Sequence, residues 1–284
     1  MANTIDIRRR IRSVKNTQQI TKAMKMVSAA KLRRAQERMF AARPYAAALR
    51  QVLSSVASRV EGLTHPLLEQ REEQKVLLVV VTSDKGLAGA FNANVIKAAQ
   101  NAIRDRGWTS VELLPIGRKA NDFFRRRTIP IRREATHVFQ ALSLETAREI
   151  AQTISEDFVE GRADAVYVAY NEFKSIIAQN VKVERLLPIE RAWDEADNGI
   201  DYLYEPSPER ILSELLPKHI EFQLYRVLLE SAAAEQGARM AAMEAATKNA
   251  KDMIDHLTLT YNRIRQASIT KEIIEIVSGA AAAG

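Results

Sequence analysis

KHIEFQLYRVLLESAAAEQGARMAAMEAATKNAKDMIDHLTLTYNRIRQASITKEIIEIVS, residues 218–278, follows Pro217 and is interrupted only by Gly237 before Gly279. At a rise of 1.5 Å per residue, a run of roughly sixty residues is roughly 90 Å of helix. A compact domain of this size has no need of such an element. The other end of the chain reads the same way, and both Met24 to Ala35 and Arg239 to Val277 are enriched in alanine. Small side chains let two helices approach closely but bury little area, so this pair gains stability from surrounding subunits. Ile7, Ile11, Val14, Gln18, Thr21, Lys25, Ser28, Leu32, Ala35, Met39, Ala42, Ala46 and Leu49 follow alternating steps of four and three, as in a coiled coil. Met243, Ala246, Ala250, Met253, Leu257, Thr260, Ile264 and Ala267 keep the same steps near the C-terminus. Two terminal helices meeting antiparallel is the simplest topology. Pro44 is expected to start a new turn or kink the first helix, and Gly62, His65 and Pro66 to end it.

The middle reads as α/β. Lys75 to Thr82, KVLLVVVT, is a β-branched apolar run typical of a strand buried on both faces. A turn at Ser83 to Gly89, a helix from about Asn92 to Arg106 and a second strand at Val111 to Ile116 follow. A short helical patch at Arg118 to Phe124, a helix from Ser143 to Glu160 and a strand at Ala165 to Tyr170 come next. Alternation of strands and helices implies a parallel sheet. Val181 to Ile189 is a further strand, antiparallel at an edge. The expected fold is α/β, a long antiparallel coiled coil of N- and C-terminal helices plus a central Rossmann-like domain. Its parts are an N-terminal coiled-coil helix over 1–62, the α/β domain over 75–200 and a C-terminal coiled-coil helix over 208–284.

Composition bounds the chemistry. The 284 residues contain no cysteine, which excludes disulfides, thiol nucleophiles and cysteine metal sites and fits a reducing compartment. No stretch approaches the roughly twenty apolar residues of a membrane span, so direct membrane insertion is not expected. Arg8 to Arg12 falls too early in a helical pattern to look like a secretory leader. The net charge of +7 points to acidic partners, and the first helix carries a dense series of Lys and Arg from Arg8 to Arg50 against Asp6 and Glu37 as its acids. An acidic protein surface and nucleic acid are both candidates for what lies alongside.

Searches for a reactive centre are mostly empty. Thr82-Ser83-Asp84-Lys85-Gly86-Leu87-Ala88-Gly89 sits between a strand and a helix, where open α/β sheets bind phosphates. It has neither the three glycines of a dinucleotide fingerprint nor the Gly-Lys-Ser/Thr ending of a P-loop, so a structural turn is the favoured reading. His65, His137, His219 and His256 are scattered, and only His256 has acids nearby, Asp252 and Asp255, which read as a solvated ion-pair cluster. There is no Gly-x-Ser-x-Gly elbow. No catalytic residue, cofactor or metal is expected.

The run Ile11 to Lys31, IRSVKNTQQITKAMKMVSAAK, closely resembles the start of the γ subunits of F-type ATP synthases. Arg239 to Ala250, RMAAMEAATKNA, and Tyr261 to Glu272, YNRIRQASITKE, look like that family's C-terminal signature. Thr82 to Leu87 resembles its first βα turn, and Tyr202-Leu203-Tyr204-Glu205-Pro206 its foot, so the likeness covers essentially the whole chain. The resemblance implies a non-catalytic rotor shaft, in which the paired helices turn inside a ring of three α and three β subunits while the α/β domain stands on the c-ring with ε. It places the chain peripherally at the cytoplasmic face of a bacterial inner membrane. The cysteine-bearing insert of chloroplast members is absent, so thiol control of rotation is not expected.

Carried over by position, Met24 matches the place where the shaft meets an acidic β loop, which Lys22 and Lys25 would also face. Arg239, Gln266, Thr270 and Glu272 match positions that make polar contacts with the ring. Tyr202, Tyr204 and Glu205 match the foot, facing c-ring loops and ε. The rival reading is a basic coiled-coil protein that binds nucleic acid. It wants aromatic residues along the basic helix, where Phe and Tyr are sparse.

Overall fold

A computed structural model of the chain describes residues 4–57, 65–176, 179–190, 205 and 207–283. They form two compact units, one made of residues 1–28 and 240–284 and the other of residues 29–239. Two long helices contribute to both: α1, Thr4–Ala57, and α5, Pro208–Ala283. Pro208 occupies the first helical position, where its missing N–H costs nothing, and the Ser207 hydroxyl caps the helix by accepting from the Arg210 amide at 3.3 Å.

Between them lie β1 (Lys75–Val81), α2 (Phe91–Asp105), β2 (Ser110–Ile116), α3 (Arg118–Phe124), α4 (Leu144–Val159), β3 (Ala165–Phe173) and β4 (Gln179–Leu187). The sheet order is β2-β1-β3-β4. β1 pairs parallel with β2 and β3, and β4 is an antiparallel edge strand, as the sequence suggests. The apolar continuity of β1 follows from burial on both faces. Leu77, Val79 and Val81 pack into one core with α4 and the unit's parts of α1 and α5. Val76, Leu78 and Val80 pack into the other with α2 and α3. At roughly 25 cal/mol per Å² of apolar surface removed from water, these two layers are the main stabilising term of the unit.

α1 stays helical through Pro44, so no new turn starts there. Pro44 is exposed, whereas Ala42, Ala46 and Leu49 pack on the opposite side, so tertiary burial offsets the lost backbone bond. Pro217 also lies within α5, where it is half-buried. Gly62 lies outside the described residues. His65 caps a short 3-10 turn, Pro66–Leu68, its Nδ1 accepting from the Leu67 amide at 3.2 Å.

Candidate functional site

In the unit formed by residues 1–28 and 240–284, the two helices run antiparallel. Arg8 pairs with Tyr261, Thr21 with Thr247 and Lys25 with Glu244, and the two residue numbers in each pair add to nearly the same value. Ile7, Thr21 and Ser28 are buried along the seam, and Ile11, Val14, Gln18 and Lys25 are half-buried, as the four-and-three spacing requires. On the partner helix Met243 and Ala250 are buried, and Ala246, Leu257, Thr260 and Ile264 are half-buried. Met253 is a correction: it is exposed, and Ile254 takes the inward position. The step from Ala250 is therefore four and the next one three, so the stripe resumes at Leu257; Ala267, expected on it, is exposed as well.

Polar groups set the register of this pair. The Thr247 hydroxyl donates to that of Thr21 at 2.8 Å, and Thr21 donates on to the Gln18 carbonyl at 3.0 Å. The Arg8 guanidinium donates to the Tyr261 hydroxyl and lies 5.4 Å from its ring centre. Lys25 Nζ sits 2.7 Å from Glu244, an exposed pair that contributes at most about 1 kcal/mol. Of the residues expected to meet a partner, Met24 is half-buried and Lys22 is exposed, with no ion pair among the described residues. The ammonium of Lys25 is already answered within the chain.

Every residue from Arg265 to Ala280 is exposed. The register of the pairs places Thr4, where α1 begins, opposite Arg265 of α5. Ile269, Ile273, Ile274, Ile276 and Val277 are exposed apolar side chains along this end. Gln266, Thr270 and Glu272 stand among them. The Thr270 hydroxyl donates to the Gln266 carbonyl at 2.9 Å, and Glu272 accepts from Ser268 at 3.2 Å.

In the unit of residues 29–239, the turn after β1 uses its polar groups to hold the fold. The Thr82 hydroxyl accepts from the Ala120 amide at 2.8 Å and donates to the Ile116 carbonyl at 3.2 Å. Asp84 Oδ1 accepts from the amides of Arg118 and His137, both at 3.1 Å. A carboxylate of the chain itself therefore stands at the start of α3, which favours the structural turn over a phosphate cradle there. Arg239 reaches this turn. The residue is 9% exposed, and its guanidinium donates to the Gly86 carbonyl at 3.2 Å and to Glu235 at 2.6 Å. Of the expected foot residues, Glu205 is exposed, and Tyr202 and Tyr204 lie outside the described residues.

Sequence reasoning passed over two polar features. Thr247 falls off the apolar stripe, and nothing in its neighbours marks it as the partner of Thr21. Arg226 is the second: its guanidinium lies 3.1 Å from Glu184, 3.1 Å from Glu230 and 3.3 Å from the Tyr170 hydroxyl, tying α5 to β3 and β4. Burial pushes the Tyr170 hydroxyl far above its ordinary value, so it remains a neutral donor and acceptor. Among the described residues no group of His, Cys, Asp or Glu could hold a metal, and no helix is long and apolar enough to cross a membrane.

The class of protein so defined is a two-helix antiparallel coiled coil whose helices also pack on an α/β sheet unit. A family model described as ATP synthase matches residues 3–283. The chain is 55% identical to the ATP synthase gamma chain of Solibacter usitatus, covering 100% of both chains. It is 52% identical to the gamma chain of Chlorobaculum parvum, covering 97% of both. A solved chain of the Tetrahymena thermophila mitochondrial ATP synthase central stalk and c-ring matches with a TM-score of 0.63 at 28% identity, over 80% of this chain and 99% of that one. The fold also matches a chain of the Euglena gracilis mitochondrial enzyme with a TM-score of 0.69 at 20% identity, over 98% of this chain and 94% of that one. The chain belongs to the ATP synthase gamma chain family.

Proposed function

We propose that the chain is the central rotor shaft of an F-type ATP synthase, coupling ion-driven rotation of the c-ring to conformational cycling of catalytic β subunits. The observation that carries this reading is the end-to-end likeness to gamma chains at 55% identity. The uncovered apolar end of α5 supports it, because Ile269, Ile273, Ile274, Ile276 and Val277 exposed on a lone helix call for a surrounding sleeve. In this reading the chain performs no catalysis itself. It partners three α and three β subunits, ε and the c-ring, at the cytoplasmic face of a bacterial inner membrane. A shaft that is asymmetric about its axis imposes different conformations on chemically identical β sites. Met24, Lys22 and Lys25 meet the β subunits' acidic loop, and Gln266, Thr270 and Glu272 meet the sleeve. Arg239 supports these contacts from within, and Tyr202, Tyr204 and Glu205 form the foot.

Purification of a tagged copy from its native host, with identification of bound chains and assay of ATP hydrolysis, tests the assignment. Recovery of α, β and ε with ATPase activity is expected. Recovery of nucleic acid, or of the chain alone, would return the basic-helix alternative. In assembled complexes, Met24→Lys, or Gln266→Ala combined with Thr270→Val, should lower ATP-driven ion pumping severalfold. Unchanged pumping would remove these residues from the interface.

A further inference from the structure

Within the unit of residues 29–239, a cleft of about 550 Å³ opens between α1, α5, the turn after β1 and the segment that follows α3. Its position has a topological reason. β1 is central, with β2 on one side and β3 on the other, so the chain reverses its direction of travel across the sheet at the end of β1. Open α/β sheets bind ligands at such a switch point. Asp84 and Lys85 of the turn after β1 line the cleft there.

The cleft is strongly cationic. Lys31, Arg34 and Arg38 enter it from one face of α1, at the three- and four-residue spacing that stacks side chains along a helix. Lys85 joins from the turn and Arg239 from α5, against only the carboxylates of Asp84 and Glu235. Those two acids are largely answered already. Glu235 lies 2.6 Å from Arg239, and Asp84 Oδ1 takes two backbone amides at 3.1 Å. Arg34, Arg38 and Lys85 have no ion pair among the described residues. Neighbouring Arg33, on another face of α1, is by contrast paired with Glu37 at 3.0 Å. Asp84 Oδ2 has no hydrogen-bond partner, so an anion is best placed towards α1, beside the two arginines and away from the turn. Gln140 and Gln236 add neutral donors, and Phe139 and Leu229 add an apolar wall.

We propose that this cleft binds a small, multiply charged phosphate-class anion, with Arg34 and Arg38 as its principal ligands. Guanidinium groups suit this role because their forked N–H donors match phosphate oxygens in pairs. The volume is within the range of roughly 300–1,000 Å³ typical of small-molecule sites, so either a free polyphosphate or the phosphate chain of a nucleotide has room. One such anion would draw together α1, α5 and the turn after β1.

The test is calorimetric titration of the full-length chain with pyrophosphate, inorganic phosphate and ATP at low salt. Saturable binding of pyrophosphate or ATP is expected, tighter than that of phosphate. Equal affinity for pyrophosphate and ATP assigns the site to free polyphosphate, whereas tighter ATP binding assigns it to nucleotides using the apolar wall. Arg34→Ala with Arg38→Ala should weaken binding at least about tenfold, because both side chains are exposed and their loss removes charge-assisted bonds without touching the core. Arg34→Lys with Arg38→Lys should fall between, and Lys97→Ala, exposed on α2 outside the cleft, should stay within about twofold of the parent. Absence of saturable binding at millimolar concentrations would overturn the proposal. So would equal binding by the double alanine variant, or equal loss in Lys97→Ala.

Discussion

Gly117 shows how much one residue decides. It sits between β2 and α3 at φ +89° and ψ 147°, a combination that favours glycine. A Cβ there would lie 2.1 Å from the Thr82 carbonyl oxygen, which is backbone and cannot yield. Gly117→Ala should therefore cost at least about 3 kcal/mol, measured as a fall in the midpoint of denaturant unfolding of the full chain. Nothing in the sequence around Gly117 announces this, because the obstructing atom belongs to the turn that follows β1, 35 residues earlier. Glu235 is a second case. Burial pushes its carboxyl above the ordinary value of about 4.5, with Arg239 pulling it back. A carboxyl whose folded pKa is raised contributes stability that is full below about pH 4.5 and is lost as pH rises through the folded value. Glu235→Gln should flatten the decline of melting temperature with pH above about 4.5, a slope readable by calorimetry regardless of the variant's absolute stability. Equal slopes in parent and variant would mean that Glu235 ionises in the folded chain as it does in the unfolded one.

Among the elements, α1 is the most legible from sequence. The residues of its four-and-three stripe from Ile7 to Leu49 are all buried or half-buried, because side-chain direction in a regular helix follows from spacing alone. The corresponding stripe of α5 departs at Met253, whose place Ile254 takes, and resumes at Leu257, since Met253 and Ile254 are equally apolar and only the partner helix selects between them. β1 was readable for a related reason: a strand covered on both faces needs apolar residues at every position. Its neighbours in the sheet were less so, because pairing is decided between segments far apart in sequence. The polar seam contact of Thr21 and Thr247 belongs to this scale. Thr21→Val or Thr247→Val alone should cost about 1 kcal/mol, and the double variant should cost less than the sum, since the second substitution finds the contact between the hydroxyls already broken. A double-mutant cycle by thermal unfolding should give a coupling of about 0.5–1 kcal/mol. Additive costs would show that the two hydroxyls do not act as a pair.

For the molecule as a whole, the exposed end of α5 separates folding from function. Residues 266–280 are all exposed, so removing 266–284 should leave the main unfolding transition of the isolated chain within about 1 °C of the parent. In assembled complexes the same deletion should lower the number of ions pumped per ATP hydrolysed, because the sleeve loses its apolar occupant. A large drop in the transition temperature of the isolated chain would instead mean that these residues stabilise the fold. The sequence by itself determined the two long terminal helices, the strand and helix order of the middle and the family, since periodicity, β-branched runs and long motifs are local properties of the chain. Tertiary structure alone decided the inward choice of Ile254 over Met253, the unbroken passage of α1 through Pro44 and the burial of Arg239 against Glu235 and Gly86. It likewise assembled the cationic cleft from α1, α5 and the turn after β1. Each of these depends on side chains and backbone brought together from distant positions, and no local pattern of residues encodes that proximity.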